Sequence, residues 1–165
     1  MRLNYLILFF SILEICFSST KVSTIWGECT IENENTSIST DILKKIIINK
    51  INKFNFIYGD ITNKPFTIII ATEKNKHNPI NHPHWHRSLG ITYNHIDKIL
   101  IKDKGFAHIS QSRFNQVIEH ELNHLFINRI DFKKSTPRWF KEGFAMWHAN
   151  EITLKHKISI AKFFF

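Results

Sequence analysis

Apolar positions along this chain recur with two different periods, and the changes of period divide it into elements. Between Asp41 and about Phe54, residues Ile42, Leu43, Ile46, Ile47 and Ile51 fall three or four apart, the spacing of one helical face, with Thr40 or Ser39 available as the N-cap. Gly59-Asp60 closes the next segment. Pro65 then introduces Phe66-Thr67-Ile68-Ile69-Ile70-Ala71, a bounded run of branched residues that predicts a strand. Leu89 to Tyr93 and Lys98 to Lys102 predict two more strands around Asn94-His95-Ile96-Asp97, either as an antiparallel hairpin or with one of them at a sheet edge. Ser110 or Ser112 can cap a second helix that runs to about Asn128, with Phe114, Ile118, Leu122 and Leu125 in one arc. After a polar connection over 131–135, Thr136 offers a capping hydroxyl and Pro137 a first helical position, so a third helix restarts there. On it Phe140, Phe144 and Trp147 share a face, while Glu142 points the opposite way beside Ala145 and Ala149, whose small side chains permit close helix approach. Residues 20–39 read as polar, with a loop at Glu32 to Asn35. The whole pattern predicts an α+β fold with a small mixed or antiparallel sheet.

A chain of 165 residues that is 43% hydrophobic suits a single domain with an ample core and excludes disorder by composition. Its formal charge of +8 comes from scattered Lys and Arg. Such a distribution gives general attraction to anions and argues against nucleic acid as a partner. Met1 to about Ser19 reads as a secretory signal, with Arg2 ahead of an apolar run from Leu3 to Leu13 and small residues Ser18 and Ser19 at the expected cleavage point. An uncleaved membrane anchor is the alternative, but the run is short for a span. The expected organisation is therefore a signal over 1–19 and one domain over 20–165, secreted or periplasmic, with no stable membrane insertion after cleavage. Cys29 is then the only cysteine, which excludes an intramolecular disulfide.

The candidate chemistry sits in His120-Glu121-Leu122-Asn123-His124. Residues four apart on a helix lie about 40° apart around its axis, so both imidazoles can reach one metal ion, and Glu121 lies beside that ion as a general base. Both histidines lie far from the apolar arc of their helix. They are either exposed surface residues or the floor of a cleft. A second helix folded back on the first brings Glu142 to the same ion. Two His and one Glu leave a fourth tetrahedral position open, as in catalytic rather than structural zinc sites. Four more histidines, His77, His82, His84 and His86, lie between Thr72 and Ser88; an exposed loop and a second metal site are the two readings of that stretch.

The combination of His120-Glu121-Leu122-Asn123-His124 with Pro137-Arg138-Trp139-Phe140-Lys141-Glu142-Gly143-Phe144-Ala145, in which Glu142 follows His124 by 18 positions, resembles the gluzincin metallopeptidases, and within them the small peptidase-MA-like domains. The likeness spans about Phe66 to Ala149. It implies a zincin-like fold, zinc held by His120, His124 and Glu142, and hydrolysis of a peptide or protein substrate by water that Glu121 deprotonates. It also implies that a sheet edge at Lys98 to Lys102 pairs with extended substrate. A metzincin pattern needs a third histidine six residues after His124, where this chain has Ile130.

Two departures from the family stand out. Relatives add a late Tyr or His to stabilise the oxyanion, whereas here the nearest candidates are Tyr93, the loop histidines, and His148 on the wrong side of its helix. Some relatives support a ligand histidine from one turn after the third ligand, and that position here is Met146. The tail from Glu151 ends in Phe163-Phe164-Phe165 and reads as a closing helix or the start of a longer lobe. An endopeptidase is the preferred expectation, with a secreted metal-binding or catalytically degenerate zincin-like protein as the alternative.

Overall fold

The computed structural model describes residues 19–33, 36–61, 63–72, 87–130 and 135–152. Among these, eight elements follow in the order β1 (Ser19–Thr24), β2 (Gly27–Glu32), α1 (Thr40–Tyr58), β3 (Phe66–Ala71), β4 (Gly90–Tyr93), β5 (Lys98–Lys102), α2 (Gln111–Ile130) and α3 (Arg138–His148). The expected signal over 1–19 apart from Ser19, the four histidines at 77, 82, 84 and 86, and the tail from residue 153 lie outside the described residues.

The strands form one five-stranded sheet in the order β1-β2-β3-β5-β4. Its inner pairs β2–β3 and β3–β5 are parallel, and both outer pairs are antiparallel. The α+β class read from the sequence is thus the architecture, with a mixed sheet. The polar stretch from Thr20, for which the sequence predicted no strand, instead forms β1 and β2, with Ser19 opening β1. Their alternation is hidden because β1 buries only Val22, while β2 buries Gly27, Cys29 and Ile31 between polar residues. The hairpin β4–β5 forms as expected, pairing Gly90 with Ile101 and Tyr93 with Lys98. Lys98–Lys102, however, is not the sheet edge. It lies between β3 and β4, so the edge is β4. The reason is compositional: Ile99, Leu100 and Ile101 are all buried, as a strand paired on both sides requires, whereas every residue of β4 is only half-buried.

Helices α1 and α2 cover one sheet face, where Ile68, Ile70, Ile99 and Ile101 meet Leu43, Ile47, Ile51, Phe114, Ile118 and Leu122. Ser39 caps α1 by accepting from the Ile42 N–H, and the helix runs four residues past Phe54 to stop at Gly59, whose φ of 79° ends the helical path. Ser110 caps α2 by accepting from the Arg113 N–H at 3.2 Å. The start of α3 differs from expectation by one residue. Pro137 is extended (ψ 147°) and is itself the N-cap, with its carbonyl accepting from Phe140 and Lys141, and no side chain caps this end. The buried positions of α3 are Ala145 and His148, while Trp139, Phe140 and Trp147 are exposed.

Two polar anchors fix α2. At its C-terminal end Arg129 is buried and donates to the Trp26 carbonyl and the Lys64 carbonyl, each at 2.9 Å, and to Asp97 Oδ1 at 3.3 Å. Midway along, the buried Glu119 carboxylate is held by Lys53 at 2.8 Å and by Lys50, both from α1. His148 packs against Phe54 and Phe144 and hydrogen-bonds the Tyr58 hydroxyl through Nε2. Burial holds its pKa below the ordinary value, aided by Lys53 and opposed by Glu119.

Two outcomes follow from these contacts. Replacing Arg129 by Ala removes the donor that holds the Lys64 carbonyl, one of the two donors to the Trp26 carbonyl and the partner of Asp97, and is expected to lower unfolding free energy by about 3 kcal/mol in urea titrations. For His148, the unfolded chain takes up a proton before the folded one does. Stability is therefore expected to drop as pH falls below about 6.5, and to drop less in His148→Gln. Parallel stability–pH curves for the two proteins would exclude this role.

Candidate metal centre

The helical spacing of His120 and His124 places both rings on the side of α2 that faces α3, where the fully buried Ala145 and Ala149 allow close approach. The two Nε2 atoms lie 3.1 Å apart. Glu142, near the middle of α3, brings its Oε2 to 3.7 Å from His120 Nε2 and 3.5 Å from His124 Nε2. Four ligands placed tetrahedrally about 2.0–2.1 Å from a zinc ion are separated from one another by about 3.3 Å. The three separations bracket that figure, and the donor set of two imidazoles and a carboxylate suits zinc. All three expected ligands are brought together, and among the described residues they form the one grouping of this kind.

The orientation of His120 comes from a residue that the sequence did not single out. Glu151 Oε2 accepts from His120 Nδ1 at 2.9 Å, which leaves the Nε2 lone pair directed at the other two ligands. Arg113 in turn donates to Glu151 Oε1 at 2.7 Å. The chain reverses at the end of α3 to make this contact. The Glu151 N–H bonds the Met146 carbonyl and the Asn150 N–H bonds the Trp147 carbonyl, with Asn150 left-handed at φ 54°. That is a Schellman closure, and the legible signal for it was an asparagine just past the helix end. The carboxylate beside His120 thus comes from five residues after Met146.

The electrostatics follow from crowding. Burial pushes the His120 pKa down, but the Glu142 and Glu151 carboxylates outweigh it and raise the imidazole to about 9. Glu142 is driven well below the usual carboxylate range by its hydrogen bonds to His120 and His124. A site that holds a proton this tightly has an excess of negative potential to offer a cation.

Glu121 is 5% exposed. Its carboxylate accepts from the Thr92 hydroxyl at 2.7 Å and packs on Gly90, where an added Cβ would lie 2.7 Å from its Cγ and Oε1. Edge strand β4 therefore forms the seat of this side chain. Burial raises the Glu121 pKa, against the lowering effect of Thr92 and the two histidines. A carboxylate so placed is a stronger proton acceptor than one in water. Ligands, Glu121 and β4 line one open cleft of about 830 Å³, together with Arg87, Arg138 and Lys141.

The oxyanion candidates fare differently. His148 is buried on Tyr58, away from the cleft, as its wheel position predicted. Tyr93 packs on Ile69, Ala71 and Leu100 on the opposite face of the sheet, because Thr92 next to it faces Glu121.

No protein-family model matches this chain, and no curated protein matches it.

Glu151→Ala is expected to weaken zinc binding 10- to 100-fold in competition with a chromophoric chelator, by freeing the His120 ring. Unchanged affinity would show that Glu151 only closes the helix.

Proposed function

We propose that this chain is a zinc-dependent peptidase of the gluzincin type, in which His120, His124 and Glu142 hold the metal and Glu121 is the general base. The observation that carries this reading is the convergence of three ligand atoms within 3.1–3.7 Å of one another in the same cleft as a buried, raised-pKa carboxylate. When bound, zinc supplies Lewis acidity, lowering the pKa of water and polarising a carbonyl. Glu121 takes the proton from the attacking water at its carboxylate and returns it to the departing amine nitrogen. Thr92 fixes the position of that carboxylate, and Glu151 fixes the tautomer of His120.

Strand β4 borders the cleft, and among the described residues β5 is its one strand partner. An extended peptide added to its other side lies across Glu121 and the ligands, with main-chain groups giving register and cleft side chains giving selectivity. This favours cleavage within a chain. The apolar run from Leu3 to Leu13 supports export to the periplasm or the medium. Among the described residues no helix is long and apolar enough to cross a membrane.

The expected result is that Glu121→Gln keeps one bound zinc but cleaves a peptide library about 1,000-fold more slowly than wild type, measured by mass spectrometry of the products. Equal rates for the two zinc-loaded proteins would exclude the mechanism. Zinc binding with no cleavage by wild type would support the metal-binding alternative.

A further inference from the structure

Every carboxylate that lines the cleft is already engaged. Glu142 faces the two histidines, Glu151 joins His120 to Arg113, and Glu121 is buried against Thr92. Among the described residues these three acids share the lining with three arginines, Arg87, Arg113 and Arg138. The charge of Arg113 is matched by Glu151 within the wall. Arg138 touches Glu142 at 3.8 Å with its side chain 85% exposed, a contact that contributes little and leaves the guanidinium facing water. Arg87 is exposed at the approach to β4.

The backbone adds positive potential of its own. The first turn of α3 holds no acidic residue, and its N-cap Pro137 makes no side-chain cap hydrogen bond, so the positive end of the helix dipole carries no acidic partner from its own first turn. That end opens where Thr136 and Arg138 line the cleft. Guanidinium groups thus come from two walls, Arg87 beside β4 and Arg138 from α3. A bound dication adds to their charge, and a concave surface focuses it.

We propose that the substrate of this cleft is an acidic peptide, held by a carboxylate that Arg87 and Arg138 engage between the β4 and α3 walls; this rests on the peptidase reading above. Arginine suits the task because its planar fork can grip both oxygens of a carboxylate. The carboxylate comes from an Asp or Glu side chain or from the peptide's own C-terminus, and the two sources are separable.

The test is calorimetric binding of peptides to zinc-loaded Glu121→Gln protein, which reads recognition without turnover. One peptide carries Glu residues and a second carries Gln at the same positions, each with a free and with an amidated C-terminus. The Glu peptide is expected to bind about tenfold more tightly than the Gln peptide at low salt, with the advantage shrinking at higher salt. It should vanish when Arg87→Gln and Arg138→Gln are introduced together. A preference that depends only on the free C-terminus would keep the carboxylate site and assign it to the chain end. Equal affinity for all peptides, no binding of any, or a preference that survives the double substitution would overturn the proposal. Wild-type cleavage of the neutral peptide separates the two ideas. Cleavage without an acidic preference sinks the charge reading alone, and an acidic preference without cleavage sinks the peptidase reading alone.

Discussion

The buried guanidinium of Arg129 is the contact on which the rest of the molecule depends. It reaches the turn after β1, the approach to β3 and the β4–β5 turn through Trp26, Lys64 and Asp97, and lies over the Phe66 ring at 5.3 Å. A cation at the last turn of α2 also complements the negative end of that helix. Three loops at one end of the sheet are thereby tied to the helix that carries His120 and His124. Glu119, held by Lys50 and Lys53, ties the same helix to α1. Both contacts hold α2 in the position at which Glu121 meets Gly90 and Thr92.

The same economy governs the metal centre. Three electron-pair donors do not converge without something to hold them there, and each has its own restraint. His120 is aimed by Glu151, Glu142 rides on a helix brought close by Ala145 and Ala149, and α2 is pinned as described. The carboxylate of Glu151 reaches His120 because the chain reverses at Asn150, so backbone geometry at a helix end determines imidazole orientation several ångströms away. The restraints are spread over α2, α3, β4 and the segment after α3.

What could be read in advance was what local spacing dictates. Helical periodicity found α1, α2 and α3, the run at Phe66 found β3, and the i,i+4 histidines with a facing Glu142 found the three side chains that meet at the candidate centre. Where partners are distant in sequence, spacing has nothing to say. Strands β1 and β2 were missed because most of their outward residues are Ser, Thr, Lys and Glu, and only pairing makes them strands. The edge position of Lys98–Lys102 was what the family resemblance implied, whereas its three central residues are all buried, as an inner strand requires. Glu151 escaped notice because its partner lies 31 residues away across a helix reversal that no periodicity encodes.

Strand β4 carries one more consequence. A sheet edge with unsatisfied main-chain groups is a template for self-association as much as for a guest, and two copies of such an edge can zip together into an extended sheet. β4 exposes only four residues, begins with a glycine, and keeps Thr92 occupied by Glu121. So short a strand offers few bonds to a second copy, and shifting its register would pull Thr92 away from its carboxylate. The contact that seats Glu121 therefore also works against re-pairing of this edge with a second copy.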